Sequence, residues 1–248
     1  MRTDYAEIFR NDAAVDKYET VVYAPESYSS AVSARQQAYL RRLVRRYFLA
    51  RRPVQHDFAC GTGRAIRILH GVVRSAHGYD VSAAMLAKAR DGGVYARLHE
   101  VSDSGPVPVP VATDGPALVT VFRLLLNVPD EVRDRAVAFA ALAIPDADGG
   151  LLVVENHGNA ASLRHLGRRR HQGNDWFAEL SHAHVADLLH RHGFEVIDRR
   201  GFAVFPAGAY RRAWLRPFAS WVDGLAARVP WLSRLCTDVL YVARRVPV

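Results

Sequence analysis

The stretch Asp57-Phe58-Ala59-Cys60-Gly61-Thr62-Gly63-Arg64 constrains this chain more than any other. Pro53, Val54 and His56 ahead of it suit a strand, and Ala65 to His70 behind it has helical spacing, so it reads as a strand-to-helix turn. The first N–H groups of a helix have no partner inside it and face whatever lies at the turn. Gly61 and Gly63 carry no Cβ, which admits positive φ and lets a ligand approach the backbone. A dinucleotide fingerprint would place a third glycine where Ile66 stands, so a pyrophosphate loop is the poorer match. A tight turn without any ligand would use the same glycines, and the turn alone leaves the question open.

The next element narrows it. Ala76 to Asp80 reads as a short strand ending on an acid, followed by a helix with Ser82 as N-cap and Met85, Leu86 and Ala89 on one face. In a parallel sheet with crossover helices, Asp80 comes to the carboxyl end of the second strand, beside the glycine turn. A carboxylate there can accept hydrogen bonds from both hydroxyls of a ribose.

These two segments together resemble the class I S-adenosylmethionine-dependent methyltransferases, especially the subgroup related to ubiquinone and menaquinone biosynthesis. That family ends its first strand in a D-x-G-C-G-T-G-like motif, matched by Asp57 to Gly63, and its second in an acid with a small-x-x-Met-Leu helix, matched by Asp80 to Leu86. The departure is Ala59, where the family has glycine; a negative φ there would accommodate alanine.

The resemblance runs from about residue 15 to 245. It implies one α/β domain over residues 1–248, with a Rossmann-like, seven-stranded, mostly parallel sheet and helices on both faces. Residues 1–50 would form a helical lid, 51–200 the cofactor core and 208–235 a helical cap inserted before the last strand. It also implies S-adenosyl-L-methionine as cofactor. Asp57 would hold the loop or the amino group, and Asp80 the ribose. Ala59, Cys60, Gly61, Thr62 and Gly63 would line the methionine and ribose side, with Val81 and Met85 near the ribose. Asp103 would face the adenine, and Phe122 and Tyr18 would add cofactor contacts.

Composition agrees with a single core: 248 residues, half of them hydrophobic, suit one sizeable domain. No apolar run approaches the roughly 20 residues of a membrane span. The first residues lack the apolar stretch of a secretory leader, so a cytoplasmic location is expected. Cys60 and Cys236 are the only cysteines, which suggests neither a disulfide framework nor a metal cluster. The formal charge of +8 comes almost wholly from arginine, and the runs at 41–46 and 168–170 read as solvated faces; a nucleic-acid substrate is not expected.

The rest of the chain supplies the remaining strands at 94–101, 116–128, 149–159, 194–205 and 237–245, and helices at 130–144 and 181–193, the second with Ser181 as N-cap. A helix is expected from Ser33 to Ala50. Tyr18 and Tyr23 in the leader would either close over the ligand or pack on the sheet edge.

Open α/β sheets hold ligands at the carboxyl ends of their strands, so the ends of strands four and five matter next. Strand four ends in Phe122, Arg123 and Asn127; strand five in Glu155, Asn156, His157 and Asn159, with Arg164 beyond. His157 is the candidate general base for a hydroxyl acceptor, since imidazole titrates near neutral pH. Arg123 is a fork for an acidic or phosphorylated acceptor. Asn127, Asn156, Asn159 and Tyr23 are candidate acceptor contacts. Against this stands a bland reading, in which the His and Asn side chains hold loop backbone and Glu155 pairs with Arg123 or Arg164. His182, His184, His190 and His192 are not spaced as metal ligands, and no metal is expected.

The segment before the last strand sets Trp214, Phe218, Trp221, Val222, Leu225 and Val229 at helical spacing among arginines. Such a helix would cover the sheet, wall an apolar acceptor pocket, or rest on an anionic bilayer; Pro217 and Pro230 restrict it to short pieces. The expected function is methylation of a small molecule, at a hydroxyl of a specialised metabolite or sugar. Methylation at nitrogen or carbon, or of a lipid-linked substrate, stays open, as do a nicotinamide-dependent oxidoreductase, a non-catalytic binding protein of the same fold, and a homodimer built on the exposed aromatics.

Overall fold

Seven strands make one sheet in the computed structural model, which describes residues 28–163, 165, 180–205, 212, 214–226, 229, 232 and 234–246. The strands are β1 (Val54–Phe58), β2 (Ser75–Asp80), β3 (Arg97–Glu100), β4 (Ala117–Val121), β5 (Gly150–Asn156), β6 (Phe194–Phe202) and β7 (Asp238–Arg245). Their order is β3-β2-β1-β4-β5-β7-β6, with β1 to β5 parallel and β7 antiparallel to both of its neighbours. The mostly parallel Rossmann-like α/β sheet expected from the sequence is therefore present. Because the central strands are buried on both faces, β1, β4 and β5 read as unbroken buried runs.

Helices cover both faces. On one side α1 (Tyr28–Tyr47) and α2 (Arg64–Leu69) pack Val32, Leu40, Leu43, Ile68 and Leu69 against Leu118, Val153 and Leu240, while α3 (Ala83–Asp91) sets Leu86 against Ala76 beside them. On the other, α4 (Asp130–Ala143) and α5 (His182–Arg191) bury Phe139, Ala140, Val185 and Leu189 on Val119, Leu152 and Tyr241. Both expected caps form: the Ser82 hydroxyl accepts from Met85 N–H, and that of Ser181 from His184 N–H, each at 3.2 Å.

Three elements bear on the expectations. The described part of the leader, α1, packs on the sheet face; Tyr18 and Tyr23 lie outside the described residues. Strand four stops at Val121, in register with Phe58 where β1 also ends, while β5 runs on two residues further to Asn156. The chain turns at Arg123, whose φ is +56°, into a short 3₁₀ turn at Leu125–Asn127, and the apolar Leu124 and Leu125 pack into the α4 side of the core. In α6 (Arg216–Ala226), Pro217 occupies the second position and starts the helix without breaking it, since its missing N–H has no partner in the first turn anyway.

Candidate active site

The sheet changes winding direction between β1 and β4, and there, at the carboxyl edge, lies a cavity of about 340 Å³, large enough for a small ligand. Asp57 and Phe58 at the end of β1, the turn from Ala59 to Thr62, and Arg64 form its floor. Tyr79, Asp80, Val81, Ser82 and Met85 form one wall, with Val101 to Asp103 beyond. Phe122, Arg123 and Leu124, together with Val128, Pro129, Val132 and Arg135, form the other.

The floor is shaped by backbone. Gly61 has φ +53° with open space where a Cβ would be, so dihedral angle alone demands glycine there. Gly63, at +82°, caps α2, and a Cβ on it would also meet Val94 at 2.7 Å. It packs the turn and does not line the cavity. Ala59 has φ +56°, not the negative value expected. The chain keeps the glycine conformation of the resembled motif while carrying a methyl group, a strained arrangement of the kind that collects at ligand sites.

Asp80 ties this floor to the wall. Its Oδ2 accepts from Gly61 N–H at 2.7 Å and its Oδ1 from Ser82 N–H at 2.9 Å. Burial raises its pKa, and these backbone donors oppose the rise. Each carboxylate oxygen offers two acceptor sites, so capacity remains toward the cavity. Asp57 accepts from the Thr120 hydroxyl at 2.5 Å. Burial pushes its carboxyl up to about 7, with the Asp80 charge adding to the rise and Thr120 and Arg64 opposing it. Burial likewise pushes the Cys60 thiol well above its ordinary range, and that side chain packs with Ile66 and Leu86.

The β4–β5 side is organised around a buried acid. Glu155 is fully buried and accepts from Gln36 Nε2 at 2.7 Å and Arg64 Nη1 at 3.0 Å; Arg64 also donates to Gln36. Burial alone would raise the Glu155 pKa, but the charges of Arg64, Arg123 and His157 outweigh it and hold it at about 2. The Arg64 guanidinium lies 5.6 Å from the centroid of the Phe122 ring. The sequence offered Arg123 or Arg164 as the partner of Glu155; its hydrogen bonds come from Arg64 and Gln36, Arg123 acts on it through its charge, and Arg164 lies outside the described residues.

The remaining candidates stand off the cavity wall. Asn156 donates to Leu180 C=O at 3.0 Å and accepts from Gly158 N–H at 3.1 Å. Asn159 donates to the carbonyls of Arg234 and Cys236 and accepts from Ala161 N–H. Asn127 donates to Arg123 C=O at 2.9 Å, holding the turn after β4. The amides thus bind backbone, as the bland reading had it. His157, half-buried, follows β5 and faces Glu155 electrostatically without lining the cavity. Sequence reasoning missed Arg64 and Gln36, although both are visible as polar residues on otherwise apolar helix faces. It also missed Arg135, which donates to Ser102 and Gly105 carbonyls and fastens the loop after β3.

Among the described residues, no group of three or more His, Cys, Asp or Glu side chains is arranged to hold a metal ion, and Cys60 and Cys236 are buried and free. No helix among those residues is long and apolar enough to cross a membrane.

No protein-family model and no curated protein matches the chain. Solved structures do. Magnesium protoporphyrin IX methyltransferase from Synechocystis PCC 6803 with bound SAH superposes with a TM-score of 0.61 at 11% identity, covering 96% of each chain. The DhpI–SAH complex gives 0.58 at 18% identity, over 98% of this chain and 96% of that one. The [4+2]-cyclase SpnF gives 0.52 at 18% identity, over 85% and 80%. Together with the strand order, these likenesses show that the chain has the class I methyltransferase fold.

Proposed function

We propose that the protein is an S-adenosylmethionine-dependent methyltransferase acting on a small molecule at a hydroxyl group. The observation that carries the reading is the Asp80 carboxylate clasping Gly61 N–H at the floor of the switch-point cavity. SAH occupies two of the similar structures, which supports the same cofactor here. The cyclase has the same fold, so activity must be argued from the site.

The residues fit the cofactor's chemistry. Asp80 has acceptor capacity left for ribose hydroxyls, and Val81 and Met85 supply apolar surface beside it. Asp103, further along the same wall, is the candidate acceptor for an adenine amino group. Asp57, with its carboxyl near 7, gains charge readily next to an ammonium group. Once bound, the cofactor supplies an electrophilic methyl group; the protein's task is to aim an acceptor at it and exclude water. Arg64 in the floor and Arg123 in the opposite wall bring guanidinium groups to the cavity, donors that suit a carboxylate or phosphate of the acceptor or of the cofactor. We assign His157 the removal of the acceptor proton; it lies at the end of β5 next to this cluster but outside the cavity lining, so the role requires the acceptor to extend from the cavity to it.

Parallel calorimetric titration with S-adenosylmethionine, SAH and NADH tests the cofactor assignment. Micromolar binding of the first two without NADH is expected; binding of NADH alone, or of none, overturns it. His157→Ala should then spare SAH affinity and slow turnover of an acceptor found by screening, and equal turnover would remove it as the base.

A further inference from the structure

Of the arrangements the sequence left open for helix α6, the structure turns its large aromatic side chains away from the sheet. Its buried face is Ala219, Asp223 and Ala226. Asp223 is fixed twice: it accepts from the Arg35 guanidinium of α1 and, at 2.9 Å, from the Val204 backbone N–H. That anchor sets the rotation and leaves the large side chains outside. Trp214 is 75%, Phe218 56% and Trp221 62% exposed, with Leu225 further along the same face. The rings of Phe218 and Trp221 stack with centroids 6.3 Å apart, so the ridge is continuous. An aromatic ridge of this size left in water marks an interaction surface.

Charge identifies what it meets. Residues 210–235 contain Arg211, Arg212, Arg216, Arg228 and Arg234 against one acid, Asp223, and that acid is paired on the buried side. The segment is thus aromatic and basic in composition, with Arg212 and Arg234 exposed among the described residues, and its one carboxylate is paired away. A second copy docking through the same face would bring like charges together, because a two-fold interface sets identical patches against each other. Indole and phenyl rings seated at headgroup level, with guanidinium groups reaching phosphates, match an anionic membrane interface.

We propose that the ridge of Trp214, Phe218, Trp221 and Leu225 docks the protein on the surface of an anionic phospholipid bilayer. The test is flotation with vesicles of phosphatidylcholine alone or mixed with phosphatidylglycerol, at low and high salt. The proteins compared are wild type, a Trp214→Ser/Phe218→Ser/Trp221→Ser variant and the single Trp221→Glu variant. The expected result is binding to the mixed vesicles at least about tenfold tighter than to phosphatidylcholine, weakened by salt and accompanied by a blue shift of tryptophan fluorescence. The triple variant should lose about tenfold at an unchanged unfolding midpoint; if it does not fold, Trp221→Glu must show the loss. Absence of binding to the mixed vesicles, or equal binding by a folded ridge variant, overturns the proposal. So does a dimer that the ridge variants dissociate while the wild type ignores vesicles, which would make the face a contact between copies.

Discussion

The two halves of the sheet edge meet at one cavity but use their polar residues in opposite ways. On the β1–β3 side, Asp57 and Asp80 line the cavity and bond to groups that shape it. On the β4–β5 side, Asn127, Asn156 and Asn159 bond to loop backbone, and Glu155 is buried under a guanidinium and an amide. A polar residue at a strand end is therefore a site candidate only until its own backbone's needs have been counted.

The strongest way to break this contrast is at Glu155. Glu155→Ala would leave Arg64 without its buried counter-charge, and removing one partner of such a pair costs about 3–5 kcal/mol. A large fall in stability by denaturant titration is expected, with α1 loosened through Gln36. A variant that stays stable and only loses ligand binding would move Glu155 from the scaffold to the site.

Acid should separate the halves next. His56, His77 and His99 form a stacked row across β1, β2 and β3, with Tyr79 stacked on His99 and hydrogen-bonded to His56. Burial first, then His77 and His99, lowers the His56 pKa to about 4; burial and neighbouring cations lower the other two as well, Arg97 acting on both. No carboxylate is among the charges that act on the row. With folded pKa values below the ordinary 6.5, the unfolded chain takes up protons first as pH falls. The contribution of His56 should be full above about pH 6.5 and be lost toward pH 4, by about 3 kcal/mol, while Asp57, with its carboxyl raised to about 7, acts in the opposite sense over that range. Glu155 keeps its charge through that range. His56→Phe should gain stability relative to the wild type as pH falls from 7 to 4.5 in thermal unfolding; a difference that stays constant with pH would place the acid sensitivity elsewhere.

Asp80→Ala and Asn159→Ala sharpen the contrast directly. Asp80→Ala should weaken SAH binding by at least about 1.5–3 kcal/mol, the range of a lost charged hydrogen bond, in a protein that still folds. Asn159→Ala should lower stability by about 1–3 kcal/mol, since two carbonyls lose their donor, and leave SAH affinity unchanged in calorimetry. Reversed outcomes would exchange the roles of the two sides.

These differences explain what the sequence disclosed. The glycine turn, the acid at Asp80 and the caps at Ser82 and Ser181 were legible because each answers a backbone demand within a few residues. Strands β4 and β5 were legible because burial on both faces leaves nearly continuous apolar runs. The Gln36–Arg64–Glu155 cluster was not, since it joins residues 28 and 91 positions apart whose meeting depends on the finished sheet. Nor was the rotation of α6: periodicity defines two faces, and the choice between them was made by Asp223 reaching Arg35 and Val204.

Ala59 supplies the smallest and most discriminating test. A left-handed conformation costs an L-residue roughly 1–2 kcal/mol, and glycine avoids that cost while losing roughly 0.5–1 kcal/mol more chain entropy on folding. Ala59→Gly should therefore stabilise the protein by no more than about 1 kcal/mol. The methyl group faces a cavity that the resembled motif leaves wider, so the informative readout is affinity. If the alanine was accommodated only as a variant of the turn, Ala59→Gly gains stability and SAH affinity stays flat. If its methyl group packs against the ligand, stability rises while affinity falls, and the strain at Ala59 is then part of how the β1–β3 side holds what it binds.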